Sequence, residues 1–375
     1  RHESGRRWRD GGAGRDDIDD VDRSVAMGSG SRMGLRLPGH ASEAADRRAL
    51  TTVAREGVEG RFRYWEMLMR LTEAFAQVTA GHQTEASEIA ELVRGEARDL
   101  GEPWVEATAG LVLGTAHYWG GRLPDALGEL AQALAVADRC GDPWVQGLLL
   151  GNRSAVRESL GDLAGARLDI ETCLDLLGDE PEVLSPEGPI RLADLTILEG
   201  DPAAGFELAT RAIDHVRRLG AVGWLAGAHC SRAHAARRRG RLGEAADDYR
   251  LALDLYESQG FHVGRIMALS GLGFCAEEAG DLEAARDLHT DELQLARAFG
   301  DPRAVAQALE GLAAVAVGEG DALLALRHLG EADGLRRAAG GPLPEAERLD
   351  VERVEAVCRR LLGDDVVELT LGPVS

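Results

Sequence analysis

The chain has 375 residues, enough for two or three ordinary domains or one long array, and carries 42 basic against 64 acidic residues for a net charge of −22. That balance excludes a surface that grips nucleic acid as a whole, because phosphate contacts need net positive faces. No apolar run is long enough to cross a membrane and no secretory leader opens the chain, so membrane partners are not expected and the expected location is cytoplasmic.

Residues 1–40 are rich in Gly, Arg and Asp without apolar periodicity, which predicts a disordered tail. The acidic run Asp16–Asp22 lacks the alternate ligands, central Gly and closing Glu of a calcium loop. A helical pattern begins at Ala41 and runs to Val58. Then one unit repeats. Turn glycines stand at Gly81, Gly121, Gly161, Gly200, Gly240, Gly280 and Gly320, spaced 40, 40, 39, 40, 40 and 40 residues apart. A second series (Gly101, Gly141, Gly220, Gly260, Gly300, Gly340) marks the ends of the following helices, with one member missing near 181.

Three further series keep step with the turns. Small residues sit seven before each turn glycine (Ala74, Gly114, Ser154, Ala193, Ala233, Gly273, Ala313) and five after it (Ala86, Ala126, Ala166, Gly205, Ala245, Ala285, Ala325). Twelve after it come Val93, Ala133, Cys173, Ala212, Ala252, Glu292 and Ala332. Two helices approach closely only where their contact residues are small, so these positions predict the crossing points of an antiparallel helix pair. Gly-Asp-Pro at 141–143, 200–202 and 300–302 places a glycine, a capping Asp and an N1 proline in sequence. The expected architecture is an all-α, right-handed superhelical solenoid of about seven helical hairpins. Residues 41–180 form its N-terminal repeats, 181–340 its C-terminal repeats, and 341–375 a closing helix and tail. The prolines at 181, 186 and 189 predict a hinge or protruding loop between the halves, followed by a short first helix over about Ile190–Glu199.

The small residue, the Gly-Asp turn and the following alanines resemble the tetratricopeptide repeat. Gly273, Gly280, Asp281 and Ala285 stand at the family's places; Glu292 departs from the second alanine, and the period of 40 exceeds the usual 34. HEAT and armadillo arrays share the longer period but lack the Gly-Asp turn with its following Ala, and rank second. Residues 281–337 and the ending from Gly341 further resemble the last repeats of actinobacterial antibiotic-regulatory and LuxR-type ATPase transcriptional regulators. That resemblance implies a bacterial regulatory arm whose DNA-binding and ATPase parts lie elsewhere. With no Lys in the chain a Walker A loop is impossible.

No catalytic constellation is present. The histidines show neither HExxH nor His/Cys ligand spacing, and His215 and His289 are expected on solvated or partly buried helix faces. The cysteines lack CxxC spacing and mostly read as small buried thiols. The expectation is therefore a non-enzymatic module without cofactor or metal that binds a protein or peptide, self-association included, and makes no direct nucleic-acid contact; the alternative is a stand-alone scaffold or adaptor. By the family's pattern its groove is lined from the first helices by Tyr118, Trp119, Glu158, Asp194, His234, Arg237, Arg238, Phe274 and Glu277. A competing structural reading has Trp119 packing at a hairpin end and the Arg237–Arg241 cluster complementing a helix C-terminus and pairing with acids inside the array.

Overall fold

The computed structural model describes residues 62–176, 187–341, 343 and 345–371. The expected tail at 1–40, the helical pattern at 41–58, most of the proline-rich join (177–186) and residues 372–375 lie outside them. The described residues hold sixteen α-helices and no strand. Seven antiparallel hairpins follow one another: α1 (62–80) with α2 (Gln83–Leu100), α3 (Pro103–Trp119) with α4 (Leu123–Cys140), and α5 (Pro143–Ser159) with α6 (Leu163–Leu176). Next come α7 (Glu187–Leu198) with α8 (Pro202–Leu219), α9 (Leu225–Arg238) with α10 (Leu242–Gln259), α11 (His262–Glu278) with α12 (Leu282–Phe299), and α13 (Pro302–Gly318) with α14 (Ala322–Ala339). Helices α15 (Arg348–Leu362) and α16 (Asp364–Leu371) close the array. An inner helix of 17 residues, an outer one of 18 and two short turns account for the 40-residue period. The fold is an all-α superhelical solenoid of tetratricopeptide-like repeats.

Every member of the three small-residue series is buried. The crossings leave no room for more: a Cβ on Gly114 would lie 2.6 Å from the Leu130 side chain, and one on Gly205 2.4 Å from Ile197. At Ser154 the approach is close enough for the hydroxyl to donate to the Ala166 carbonyl of the facing helix at 2.9 Å. Around each crossing lie larger apolar groups such as Leu113, Leu149 and Ile213, each contributing about 1.5–3 kcal/mol when fully withdrawn from water. Eight residues either side of the turn, the hairpins differ. Arg153 holds Asp169 and Arg232 holds Asp248, each by two bonds of 2.6–2.9 Å.

The caps follow the sequence. Asp142, Asp201, Asp281, Asp301 and Asp321 each accept a backbone N–H of the helix they precede. Asp142 also accepts the Trp104 indole N–H at 3.0 Å, and Trp104 stacks on Trp144, its counterpart one repeat later. Helix α7 has 12 residues, short as expected.

One expectation is corrected. His289 is fully enclosed, and His215 is buried as well. The His289 imidazole lies between Gly273 and Gly311, where a Cβ would come within 2.5 and 2.2 Å of the ring. Its Nδ1 is 2.8 Å from the equally enclosed Glu292 carboxylate. The residue that breaks the alanine series is thus the partner of a histidine that two glycines admit to the core.

The superhelix turns tightly enough to meet itself. Arg303, at the start of α13, donates to the Tyr118 carbonyl at 2.9 Å and to Ser159 Oγ at 3.1 Å, and its guanidinium lies 4.1 Å from the Tyr118 ring centre. Trp119 meets Phe299 edge to face. Gly121 abuts Pro302, and Gly341 abuts Leu123. The tips of the second and third hairpins therefore seat against the joints flanking the seventh.

Gly280 turns at φ +85°, a left-handed conformation closed to β-branched side chains. Gly280→Val is expected to lower unfolding stability by about 1–3 kcal/mol in chemical denaturation. Gly334→Ala, in an exposed part of α14 with nothing within 4 Å, is expected to raise it by up to about 1 kcal/mol.

Candidate functional site

The inner helices carry polar side chains that stacking does not require. The structure sorts the nine candidate residues into three neighbouring groups.

Tyr118 and Trp119 end α3 at the seam just described. The Tyr118 hydroxyl shares a hydrogen bond of 3.3 Å with Ser159, and Trp119 packs against the apolar cluster around Ile266 and Phe299. Trp119 thus joins the second hairpin to the sixth and seventh.

Glu158 and Asp194 face the superhelix interior from α5 and α7. Arg191 reaches Glu158 at 2.8 Å and Glu187 at 3.7 Å. Burial, reinforced by the Glu158 charge, raises the Asp194 carboxyl to about 7, although a bond from Ser231 and the Arg191 charge oppose the shift. Glu158 and Glu187 are raised too, burial being the main cause in each. All three carboxylates remain partly accessible, so the interior is wet yet poorly solvating.

His234, Arg237, Arg238, Phe274 and Glu277 lie together on α9 and α11, beneath the start of α15. Arg237 is only 7% exposed. It donates to Asp350 at 2.9 Å and to Glu278, and its guanidinium lies 5.0 Å from the Phe274 ring centre. Phe274 in turn meets the His289 edge. Burial, with the charges of Arg237 and Arg238, lowers His234 to about 3 and keeps it neutral. The Glu277 carboxylate takes two bonds from Arg353, at 2.6 and 2.9 Å.

Several interior groups carry no mark in the repeat pattern. Arg336 pairs with Glu310 at 2.6 and 2.8 Å. Glu347, just before α15, feels Arg336, Glu158, Glu310 and Arg238 together, with burial the dominant influence in raising its carboxyl. Charges from the inner helices α5, α9 and α13 and from the outer helix α14 therefore act together at Glu347. Arg191 and Glu187 were findable as an i, i+4 pair on the short seventh helix; the contacts of Arg303 with Tyr118 and Ser159, and those of Glu347 and Asp350, were not, because these partners are distant in sequence. Among the described residues no group of three His, Cys, Asp or Glu is placed to hold a metal ion, and no helix is long and apolar enough to cross a membrane.

No protein-family model matches the chain, and no curated protein matches it in sequence. Solved structures do match its shape. It is similar to a Rap protein complexed with competence and sporulation factor (TM-score 0.57, 13% identity, covering 82% of this chain and 96% of that one). It is also similar to a signal transduction ATPase with numerous domains from Pyrococcus horikoshii, which has a tetratricopeptide repeat sensor (TM-score 0.50, 11% identity, covering 88% of this chain). This chain spans 54% of that second protein's length. At these identities the likeness is one of fold, and the fold is that of tetratricopeptide repeats.

With Asp194 at about 7 when folded against an ordinary 3.8, the native state keeps a proton that the unfolded chain has released between those values. Stability therefore falls as pH rises from about 4 to about 7. Asp194→Asn is expected to abolish this part of the decline. Its melting temperature should exceed that of the parent at pH 8 and converge with it near pH 4; a gap independent of pH would contradict the assignment.

Proposed function

We propose that the chain is a non-catalytic interaction and ligand-sensing module that recognises a protein or peptide segment through the interior of its superhelix. The observation that carries this reading is the charged inner wall. Glu158, Glu187, Arg191 and Asp194 stand where solvation is poor, and ion pairs so placed are weak contributors to stability beside well-packed apolar groups. Stacking is already supplied by the small-residue crossings, so a charged wall fits recognition better than architecture. The wall offers carboxylates beside arginines, which suits a polar backbone and side chains of both signs. Two structural likenesses support the reading: one relative was solved with a competence and sporulation factor, and the other carries its repeats as a sensor.

We further propose that the module serves as the regulatory arm of a transcriptional regulator, as the resemblance of residues 281–337 implies. A rigid curved surface of this kind holds an effector in one state according to whether its interior is filled.

The test is cross-linking of the tagged full chain in its source cells, followed by mass spectrometry. Glu158→Gln with Asp194→Asn is expected to reduce recovery of the principal partner at least ten-fold while helical circular dichroism is unchanged. The convex-face change Glu283→Gln should leave recovery intact. Equal recovery by the inner-wall variant would overturn the reading.

A further inference from the structure

One part of the inner surface is occupied by the chain itself. Asp350 and Arg353, three residues apart on α15, dock on Arg237 of α9 and on Glu277 of α11. Arg238 adds a longer pair to Asp350 at 3.8 Å. With α15 in place Arg237 and Glu277 are buried while Arg353 is 43% exposed, so α9 and α11 supply the inner half of each pair and α15 the outer half. The apolar hold of α15 is narrow: Val354 and Cys358 are buried on it and Val351 and Leu362 pack beside them against α13 and α14, whereas Leu349 and Leu361 are 59% and 58% exposed. The inner helix before it, α13, buries ten residues.

We propose that α15 is a tethered occupant of a helix-docking site, and that the site's ligand is a partner helix presenting a carboxylate and, three residues later, an arginine or lysine. This rests on the reading of the inner surface as a recognition surface and names the partner's chemistry. The physical reason is compensation. Withdrawing Asp350 and Arg353 without replacement takes both Arg353 bonds from Glu277 and leaves Arg237 to Glu278 alone, which is disfavoured. Exchange for a helix with the same two charges restores both pairs, so the step is near balance and partner concentration decides it. A helix lacking either charge does not displace α15.

The probe is a fluorescein-labelled synthetic peptide with the sequence of residues 345–362, read by anisotropy against the full chain. Asp350→Asn with Arg353→Gln weakens the tethered helix and is expected to bind the peptide at least ten-fold more tightly than the unaltered chain. A peptide carrying the same two substitutions should not bind. Equal affinity for both chains, or indifference to the peptide's charges, overturns the proposal. Hydrogen exchange on the unaltered chain is an independent measurement: excess peptide should speed exchange in α15, and no change would also overturn it. Partner recovery that depends on Glu158 and Asp194 without any peptide exchange overturns this proposal alone. Peptide exchange without that dependence overturns only the reading beneath it.

Discussion

The structure depends on one recurring constraint, the close approach of two helices at a single level of each hairpin. Side chains there must be small, and the Leu130 and Ile197 contacts at Gly114 and Gly205 show how little space remains. Close approach fixes how one hairpin sits on itself. The larger residues beside the crossing then fix how it sits on the next. Repetition turns that small rotation into curvature, and curvature points the polar positions of the inner helices at one another.

The interior follows from this arrangement. A hairpin satisfied by its apolar crossing is free to carry charge on its inner edge. The same freedom explains why hairpins three and five replace apolar partners by Arg153–Asp169 and Arg232–Asp248. Such pairs hold register through direction more than through net energy, since desolvation offsets much of their attraction. The His289–Glu292 pair applies the logic one step deeper, where Gly273 and Gly311 give up their own side chains to make room.

Much of the fold was legible in the sequence because it is local. The turn glycines, the capping aspartates and the small-residue series are spaced along the chain as they are spaced in the hairpin, and all fell where the period put them. The candidate residues were legible as positions on the first helices and not in company. Offsets from the turn glycine put Glu158, Asp194, Arg237 and Glu277 on the first helices of their hairpins. They carried no sign of Arg303, which lies 185 residues from Tyr118, or of Asp350, 113 residues from Arg237. Those meetings depend on the summed rotation of several hairpins, a global quantity that no local pattern records. Glu292 was visible as an exception and not as a partner, because nothing in a period of 40 says that two glycines from different hairpins flank one imidazole.

The seam at Arg303 changes what kind of object the array is. A linear stack touches only its neighbours, so it melts in pieces and frays inward from its ends. Here the tips of the second and third hairpins are bonded to the joint before the seventh, and Trp119 shares an apolar cluster with Phe299. Loosening a late hairpin therefore loosens an early one. The described hairpins two to seven are closed upon themselves, so a disturbance at one margin has a path to the opposite side that does not pass through every repeat between.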